Sequence, residues 1–296
     1  MIYFSSGDKG GVGKSLLANA LINYSYIKNE KGVVVIDADT RNSDVFRLHK
    51  NYLSDKKYIR QIELSSKDGW IDLEDTIETI YLENPNIDID FVISLPAGIG
   101  GTFISELEMF HKAIAKYNQK IVLFWSMDTG IDSINLLKIT FLECYNFIDH
   151  IVIVKNLYFG ENDNFYLWND SNLRILLLGL GATEADMPSL NVRLIPYYKK
   201  LRFDETYIKD IIAKNNIANP QIIGKNYNNY TGEPMPFFKL MDDDIEMMGS
   251  IRNRLKIWLD TMSETFRIAD EKIKLGKFKE KCSALRKSCK THPRVW

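Results

Sequence analysis

Seven consecutive residues near the start of the chain have side chains suited to binding phosphate: Lys9, Gly10, Gly11, Val12, Gly13, Lys14 and Ser15. An apolar run at 1–4 precedes them and apolar residues at helical spacing follow at 15–26, which predicts a strand, a turn and a helix. Glycines let backbone N–H groups approach phosphate oxygens closely, and the helix N-terminus adds partial positive charge. Lys14 and the Ser15 hydroxyl suit the terminal phosphates and Mg²⁺. We therefore interpret residues 9–15 as a phosphate loop.

The elements around the phosphate loop alternate between strands and helices. Further core strands are predicted at 33–36, 91–93, 121–124, 151–154 and 192–195, and helices at 70–83, 102–117, 131–144 and 203–214. The strands are apolar throughout, as in parallel sheets that are buried on both faces. The sequence therefore predicts an α/β fold with a mostly parallel, doubly wound sheet and helices on both faces.

The composition is that of a protein with a packed core. Of the 296 residues, 45% are hydrophobic and 26% are charged, which argues against a disordered chain. No apolar run approaches the roughly 18 residues of a membrane-spanning helix, and the first residues lack the basic start of a signal peptide. Three cysteines without a Cys-x-x-Cys pair fit a reducing compartment. We therefore expect a cytoplasmic protein.

The phosphate loop resembles the deviant Walker A motif of the ParA/MinD family of ATPases, Lys-Gly-Gly-x-Gly-Lys-Ser/Thr. The more common P-loop motif has a glycine where this chain has Asp8, whereas the ParA/MinD variant is met in full. Residues 33–39 resemble the strand and the Asp-x-Asp that follow in that family, here Asp37 and Asp39. Residues 41–44 resemble the MinD version of the next loop.

Later segments of the chain resemble the same family in the same order. Residues 91–98 resemble the Walker B strand with its Pro-containing switch, and 153–156 and 194–196 resemble the strands beside the adenine base. The similarity covers residues 1–215. Residues 156–168 also resemble relatives that are encoded on mobilisable plasmids, which suggests a partition or mobilisation branch of the family.

This resemblance implies a P-loop NTPase fold that binds ATP and Mg²⁺ and forms an ATP-dependent homodimer. Lys9 would reach the partner's phosphates, and such trans-acting cations accelerate hydrolysis by about 10³–10⁵. Lys14 would bind the transferred phosphate, Asp39 would orient the attacking water, and Ser15 and Asp37 would hold the metal. The implied nucleotide contacts are Gly10, Gly11, Val12, Gly13, Lys14, Ser15, Leu16, Asn156 and Pro196.

One position departs from the family pattern. The Walker B strand should end in Asp, and this chain has Ser94 there. A serine hydroxyl binds a metal-bound water but brings no negative charge, whereas Mg²⁺ prefers anionic oxygen. Asp90 lies four residues upstream, too far along the strand to replace it. The departure weakens the case for hydrolysis more than the case for binding.

The C-terminal part of the chain is predicted to be a helical extension. Residues 224–236 are rich in Gly, Asn and Pro and predict a loop, and a helical pattern follows at about 241–289. We therefore divide the chain into a P-loop nucleotide-binding domain at 1–240 and a helical extension at 241–296. Residues 270–296 carry nine Lys/Arg and three Asp/Glu, a net charge of +6.

The basic tail has three interpretations. It forms a helix that packs on the nucleotide-binding domain with a solvated basic face, or it binds nucleic-acid phosphates. Attachment to a membrane is the third interpretation and the one that the sequence favours least. The residues at 278, 282, 285 and 289 share one helical face, which is narrow and has few bulky side chains. The partners we expect are therefore a second copy of the chain and either non-specific DNA or a protein activator.

Three functions remain open on the sequence. The first is a slowly hydrolysing dimeric ATPase switch that positions or partitions a cargo such as plasmid DNA or a conjugation assembly. The second is a non-hydrolysing nucleotide-binding scaffold, because of Ser94. The third is a small-molecule phosphoryl-transfer enzyme, for which the sequence offers no evident substrate pocket.

Overall fold

The computed structural model describes residues 1–29, 32–53, 58–85, 88–198, 234–243, 245 and 247–291. For residues 192, 195, 196 and 287–291 it describes the backbone alone. The predicted helix at 203–214 and most of the predicted loop at 224–236 lie outside the described residues.

A single sheet of seven strands, all parallel to their neighbours, forms the centre of the described structure. The strands are β1 (Ile2–Ser6), β2 (Val33–Asp37), β3 (Ile59–Gln61), β4 (Asp90–Ser94), β5 (Ile121–Met127), β6 (His150–Asn156) and β7 (Thr183–Met187). Their order across the sheet is β3-β2-β4-β1-β5-β6-β7. The predicted strands at 33–36, 91–93, 121–124 and 151–154 are confirmed, and so is the parallel α/β fold.

Eleven α-helices occur among the described residues: α1 (Lys14–Lys28), α2 (Asp44–His49), α3 (Lys67–Glu83), α4 (Gly100–Ile114), α5 (Ile131–Cys144), α6 (Tyr166–Asn169), α7 (Asn172–Leu180), α8 (Ile195–Tyr198), α9 (Phe237–Leu240), α10 (Gly249–Leu275) and α11 (Lys277–Thr291). The predicted helices at 70–83, 102–117 and 131–144 are confirmed as α3, as α4 with a 3₁₀ turn, and as α5.

The sheet separates two apolar clusters, because successive strand residues point to opposite faces. On one face, Phe4 packs with Trp70 of α3 and Phe103 of α4. On the other face, Tyr3 packs with Phe124, and Phe124 with a residue of α10. Both faces of the central strands are therefore buried, which explains their unbroken apolar sequences.

The predicted strand at 192–195 is wrong. Residues Val192–Leu194 form a 3₁₀ turn and α8 follows it directly. The apolar residues Leu194, Tyr197 and Tyr198 recur at i, i+3 and i+4, which is helical spacing. The strand that pairs with β6 at this edge is β7, whose charged middle residues conceal it in the sequence.

The helical pattern predicted at 241–289 is two helices rather than one. Gly276 ends α10 with φ 66°, a left-handed conformation that breaks the helix before α11 begins. The apolar face of α10 lies in the same buried cluster as the strand residue Tyr3. Within the described residues, no helix is both long enough and apolar enough to cross a membrane. The division of the chain at 240 stays a prediction.

The strand order places the loop after β1 in a crevice. β1 lies between β4 and β5. The strands β2 to β4 all lie on one side of β1, and β5 to β7 lie on the other side. In open parallel sheets, ligands bind at the carboxyl ends of the strands where the connections diverge in this way. The phosphate loop lies at that point.

Candidate functional site

The phosphate loop joins β1 to the first residue of α1. Gly13 precedes α1 with φ 99°, a left-handed conformation that glycine adopts without strain. A Cβ atom at this position would lie 2.4 Å from Nδ2 of Asn156 and 3.0 Å from Cε of Met187. Gly10 and Gly11 are exposed at the outer side of the loop. The glycines therefore give a compact backbone turn with an open outer side, directly at the N-terminus of a 15-residue helix.

Lys14 is buried inside this turn and is 8% exposed. Its ammonium donates a hydrogen bond to the backbone carbonyl of Lys9 at 2.5 Å, and the Ser5 hydroxyl donates to the carbonyl of Lys14 at 2.9 Å. Burial lowers the pKa of Lys14, and the charges of Asp39 and Asp8 only partly oppose that effect. A buried cation bonded to a neutral carbonyl is a favourable site for an anion.

Two side chains from neighbouring strands hold the carbonyl oxygen of Val12. The Ser126 hydroxyl donates to it at 2.7 Å and the Asn156 amide donates at 2.9 Å. The amide oxygen of Asn156 also accepts the backbone N–H of Tyr158 at 3.1 Å. Asn156 therefore supports the phosphate loop, while the expected contact between Asn156 and an adenine base stays a prediction.

Lys9 forms an ion pair within its own chain. Its ammonium lies 2.7 Å from Oδ2 of Asp128, the residue after β5, and this hydrogen bond raises the pKa of Lys9. Burial opposes ionisation of Asp128, but hydrogen bonds from Lys9 and Ser133 outweigh it and lower the pKa of Asp128. The lysine side chain is 36% exposed, so the pair lies at the rim of the site.

Asp37 and Asp39 lie at the carboxyl end of β2. Asp37 is 1% exposed and accepts the backbone N–H groups of Asp39 at 3.2 Å and of Phe46 at 2.9 Å. Burial raises the pKa of Asp37 to about 7, although these hydrogen bonds act in the other direction. Asp39 is half-buried, accepts the backbone N–H of Asn42 at 2.9 Å, and acts electrostatically on Lys14.

Ser94 ends β4 at the same edge of the sheet. It is 2% exposed and lies opposite Asp37 in the strand register. Asp90 is at the other end of β4, where it accepts a hydrogen bond from the Met1 amino group at 3.0 Å and pairs with Lys28 at 2.6 Å. The prediction that Asp90 cannot replace a carboxylate at position 94 is confirmed.

Three further residues were predicted to contact the nucleotide or the metal: Ser15, Leu16 and Pro196. Ser15 is the second residue of α1 and is half-buried, and Leu16 packs partly buried against the apolar cluster under α1. The side chain of Pro196 lies outside what the structure describes. Among the described residues, no group of three or more His, Cys, Asp or Glu could hold a metal ion by itself.

Sequence reasoning missed four contributors to the site: Asp8, Ser126, Asp128 and Met187. Ser126 and Asp128 lie at the carboxyl end of the apolar strand β5. Ligand-binding residues of parallel sheets lie at this end of the strands, so the position of both residues in the sequence indicates a role in the site. Met187 ends a strand that the sequence does not reveal. In the sequence, Asp8 stands out only because the common P-loop motif has a glycine at this position.

The parallel sheet, the strand–loop–helix unit and the buried lysine together define a P-loop-type α/β protein. No family model matches the chain. Protein MobD from Acidithiobacillus ferrooxidans is 31% identical over 193 residues, which cover 65% of this chain and 79% of that protein. The chain belongs to the MobD family.

The chain is also similar to a solved structure, that of a nucleotide-binding protein from Archaeoglobus fulgidus in complex with ADP, with Co. It is 15% identical, and the similarity covers 63% of this chain and 80% of that one with a TM-score of 0.38. A similarity at this level carries no argument about the function of the chain.

Proposed function

We propose that the chain binds ATP with Mg²⁺ in the phosphate loop. The observation that carries this proposal is Lys14, an almost fully buried ammonium that contacts a carbonyl inside a glycine-rich turn at a helix N-terminus. Burying a charge is unfavourable unless a counter-charge compensates it. The terminal phosphates of a nucleotide supply that counter-charge in the geometry which the loop offers.

The roles of the site residues follow from their positions. Backbone N–H groups of residues 10–13 and the Lys14 ammonium would bind phosphate oxygens. Ser15 and Asp37 would hold Mg²⁺, which neutralises charge on the phosphate oxygens when bound. Asp39 is close enough to Lys14 to act on its pKa, which suits a carboxylate that orients a water at the terminal phosphate.

We further propose that turnover is slow and coupled to dimerisation. Lys9 lies at the rim of the site, and its pair with Asp128 keeps it within its own chain in the single protomer. A partner's phosphates would have to replace Asp128 as the partner of Lys9, while Asp128 would keep its hydrogen bond from the Ser133 hydroxyl. A lysine released in this way would act on the partner's nucleotide, as the resemblance to ParA/MinD ATPases implies.

The cargo that we propose belongs to a mobilisation or partition process. Membership of the MobD family and the resemblance of 156–168 to proteins encoded on mobilisable plasmids support this proposal. Non-specific DNA is the partner that we favour, through the basic face of α11. Lys277 and Arg286 are exposed on α11, and Lys274 is exposed at the end of α10. Clusters of lysine and arginine bind phosphate backbones irrespective of sequence.

The packing of α11 argues against membrane attachment through this helix. Phe278 and Cys282 on its apolar face are 2% and 1% exposed, and the Phe278 ring packs against Phe141 and His150. A membrane surface helix needs its apolar face free to enter the lipid. The docked helix with a solvated basic face is the interpretation that this packing supports.

A scaffold without hydrolysis is the second candidate, and Ser94 favours it. The end of β4 has a hydroxyl, that of Ser94, where a metal-binding carboxylate is expected. Burial also raises the pKa of the neighbouring Asp37 to about 7. If the scaffold interpretation holds, Ser94→Asp gains turnover that the wild type lacks. If the wild type is active and Ser94→Asp is no faster, the scaffold interpretation fails.

ATP turnover and molar mass, measured together with Mg²⁺ and with or without DNA, test the switch. The variants are Lys9→Ala and, as a matched control, Lys138→Ala, which removes an exposed lysine of α5. We expect ATP-dependent dimers whose turnover is lost in Lys9→Ala, kept in Lys138→Ala and stimulated by DNA. A protein that stays monomeric with ATP, and in which Lys9→Ala changes nothing, would contradict the proposal.

A further inference from the structure

Asp8 has a backbone conformation that its side chain does not favour. Asp8 (φ 45°) and Asn118 (φ 53°) are the non-glycine residues with positive φ among those that the structure describes. L-residues with a Cβ atom are disfavoured there, although Asp and Asn tolerate the conformation better than most. Glycine, the residue of the common P-loop motif at this position, would fit without strain. The presence of Asp8 therefore needs another reason.

The carboxylate of Asp8 contacts the first residue of α4. Its Oδ1 accepts the backbone N–H of Gly100 at 2.9 Å, and the backbone carbonyl of Asp8 accepts the N–H of Gly98 at 3.2 Å. The N–H groups of the first helical turn have no partner within the helix, and the helix dipole favours a negative charge at that end. Two hydrogen bonds thus join the start of the phosphate loop to the start of α4.

The fit between Asp8 and Gly100 is close. A Cβ atom on Gly100 would lie 2.5 Å from Oδ2 of Asp8, so any larger residue at position 100 displaces the carboxylate. Residues 95–99 connect Ser94 to α4, so these bonds fix the connection between the phosphate loop and the end of β4. The same carboxylate acts electrostatically on Lys14.

We propose that Asp8 is a positioning residue that holds the N-terminus of α4 against the phosphate loop and couples the two. A nucleotide at the loop and a displacement of α4 then influence each other through one charge-assisted hydrogen bond. The part that concerns turnover rests on the proposed function, whereas the contact itself does not. The competing interpretation is that Asp8 merely tolerates a left-handed turn, in which case glycine serves equally well.

Amide hydrogen exchange of the nucleotide-free protein separates these interpretations. Asp8→Gly relieves the backbone and removes the carboxylate, whereas Asp8→Asn keeps a side-chain acceptor. We expect the first turn of α4 to exchange about tenfold faster in Asp8→Gly, and within about threefold of wild type in Asp8→Asn. Asn118→Gly, the other positive-φ site, is the control and should leave α4 unchanged.

A second pair of variants approaches the contact from α4. Gly100→Ala introduces a Cβ atom that displaces the carboxylate, so we expect the start of α4 to exchange about as fast as in Asp8→Gly. Because both changes remove the same contact, the double variant should exchange no faster than the faster single variant. Wild-type exchange in Asp8→Gly, or additive increases in the double variant, would overturn the proposal.

Turnover supplies the functional readout. If the wild type hydrolyses ATP, we expect Asp8→Gly to lower kcat by about tenfold with KM changed by less than about threefold, because the loop that binds phosphate is intact. A change in KM alone would overturn the coupling. If the wild type does not hydrolyse ATP, the proposed ATPase fails, and the exchange measurements still decide whether Asp8 holds α4.

Discussion

At the scale of single residues, the carbonyl of Val12 shows how the phosphate loop is held in shape. It accepts hydrogen bonds from Ser126 and Asn156, and Asn156 additionally accepts the N–H of Tyr158. If either side chain is removed, the Val12 carbonyl keeps one hydrogen bond. Removal of Asn156 also breaks the hydrogen bond from the Tyr158 N–H, which holds the loop after β6. The two side chains therefore contribute unequally.

Asn156→Ala should weaken nucleotide binding more than Ser126→Ala does. We expect about a tenfold or greater loss of ADP affinity for Asn156→Ala and a loss of about threefold for Ser126→Ala, since each removed hydrogen bond is worth about 1 kcal/mol and the first variant loses two. Titration calorimetry measures both. Equal losses, or a larger loss in Ser126→Ala, would show that Asn156 does not support the loop.

The sequence identified the residues of the phosphate loop but not their neighbours. Lys9, Lys14 and Ser15 follow from a local motif in which the backbone geometry depends on adjacent residues. Asp128 and Ser126 approach the loop from another strand, more than one hundred residues away, and only the strand order makes them neighbours. Local patterns do not contain such contacts.

At the scale of helices and strands, α10 is attached to the sheet by a buried polar cluster around Asp270. The Asp270 carboxylate, on α10, accepts hydrogen bonds from Tyr3 at 2.7 Å, Tyr24 at 3.0 Å and Lys28 at 3.1 Å. Burial and the nearby carboxylates raise the pKa of Tyr3 well above its ordinary value. The cluster joins β1, α1 and α10 at the end of the sheet opposite the phosphate loop.

Asp270→Ala should therefore destabilise the fold strongly. The change leaves the hydroxyls of Tyr3 and Tyr24 without this acceptor, and a buried polar group left without a partner costs about 1–3 kcal/mol. Lys28 keeps its ion pair with Asp90. We expect a reduction of about 3 kcal/mol in the free energy of unfolding, measured by chemical denaturation. Asp260→Ala, at an exposed position of the same helix, should change it by less than about 0.5 kcal/mol.

A loss of less than 1 kcal/mol in Asp270→Ala, similar to that of the control, would mean that the cluster contributes little and that apolar packing alone holds α10.

The strands divide into those that the sequence reveals and those that it does not. The strands β1, β2, β4, β5 and β6 are buried on both faces, so their apolar runs stand out. The edge strand β7 has buried residues at its two ends, and the three half-buried residues between them include the charged Glu184 and Asp186. The short β3 has one buried residue. Edge strands need less apolar surface, so periodicity does not detect them.

At the scale of the whole molecule, two histidines are buried in the neutral form on different elements. His49 on α2 and His150 on β6 are 1% and 0% exposed. Burial lowers the pKa of each to about 4, and the charge of Lys272 adds to the effect at His150. The Nε2 atom of His150 lies 2.8 Å from the Thr183 hydroxyl, and the ring packs against Phe278 of α11.

These histidines should make the protein sensitive to acid. In the unfolded chain a histidine takes up a proton below about pH 6.5, whereas the folded protein does so only near pH 4. Between these values the unfolded state binds more protons, so stability falls as the pH falls, by about 1.4 kcal/mol per pH unit for each histidine.

Denaturant unfolding at pH 7 and pH 5 measures this effect. We expect His150→Gln, which keeps a polar group near Thr183, to reduce the loss between the two pH values by about 2 kcal/mol relative to wild type. An identical pH dependence in both proteins would show that His150 is not buried in the neutral form.

A calorimetric titration with ATP and Mg²⁺ compares the wild type with Lys14→Met, and Lys138→Met is the control. We expect the wild type and the control to bind alike and Lys14→Met to lose about 100-fold in affinity, because a charge-assisted contact with phosphate is removed. Lys14→Met should also be at least as stable as wild type without nucleotide, since it replaces a buried ammonium with an apolar group. Binding of equal strength in Lys14→Met, or no binding by the wild type, would show that this loop is not a nucleotide site.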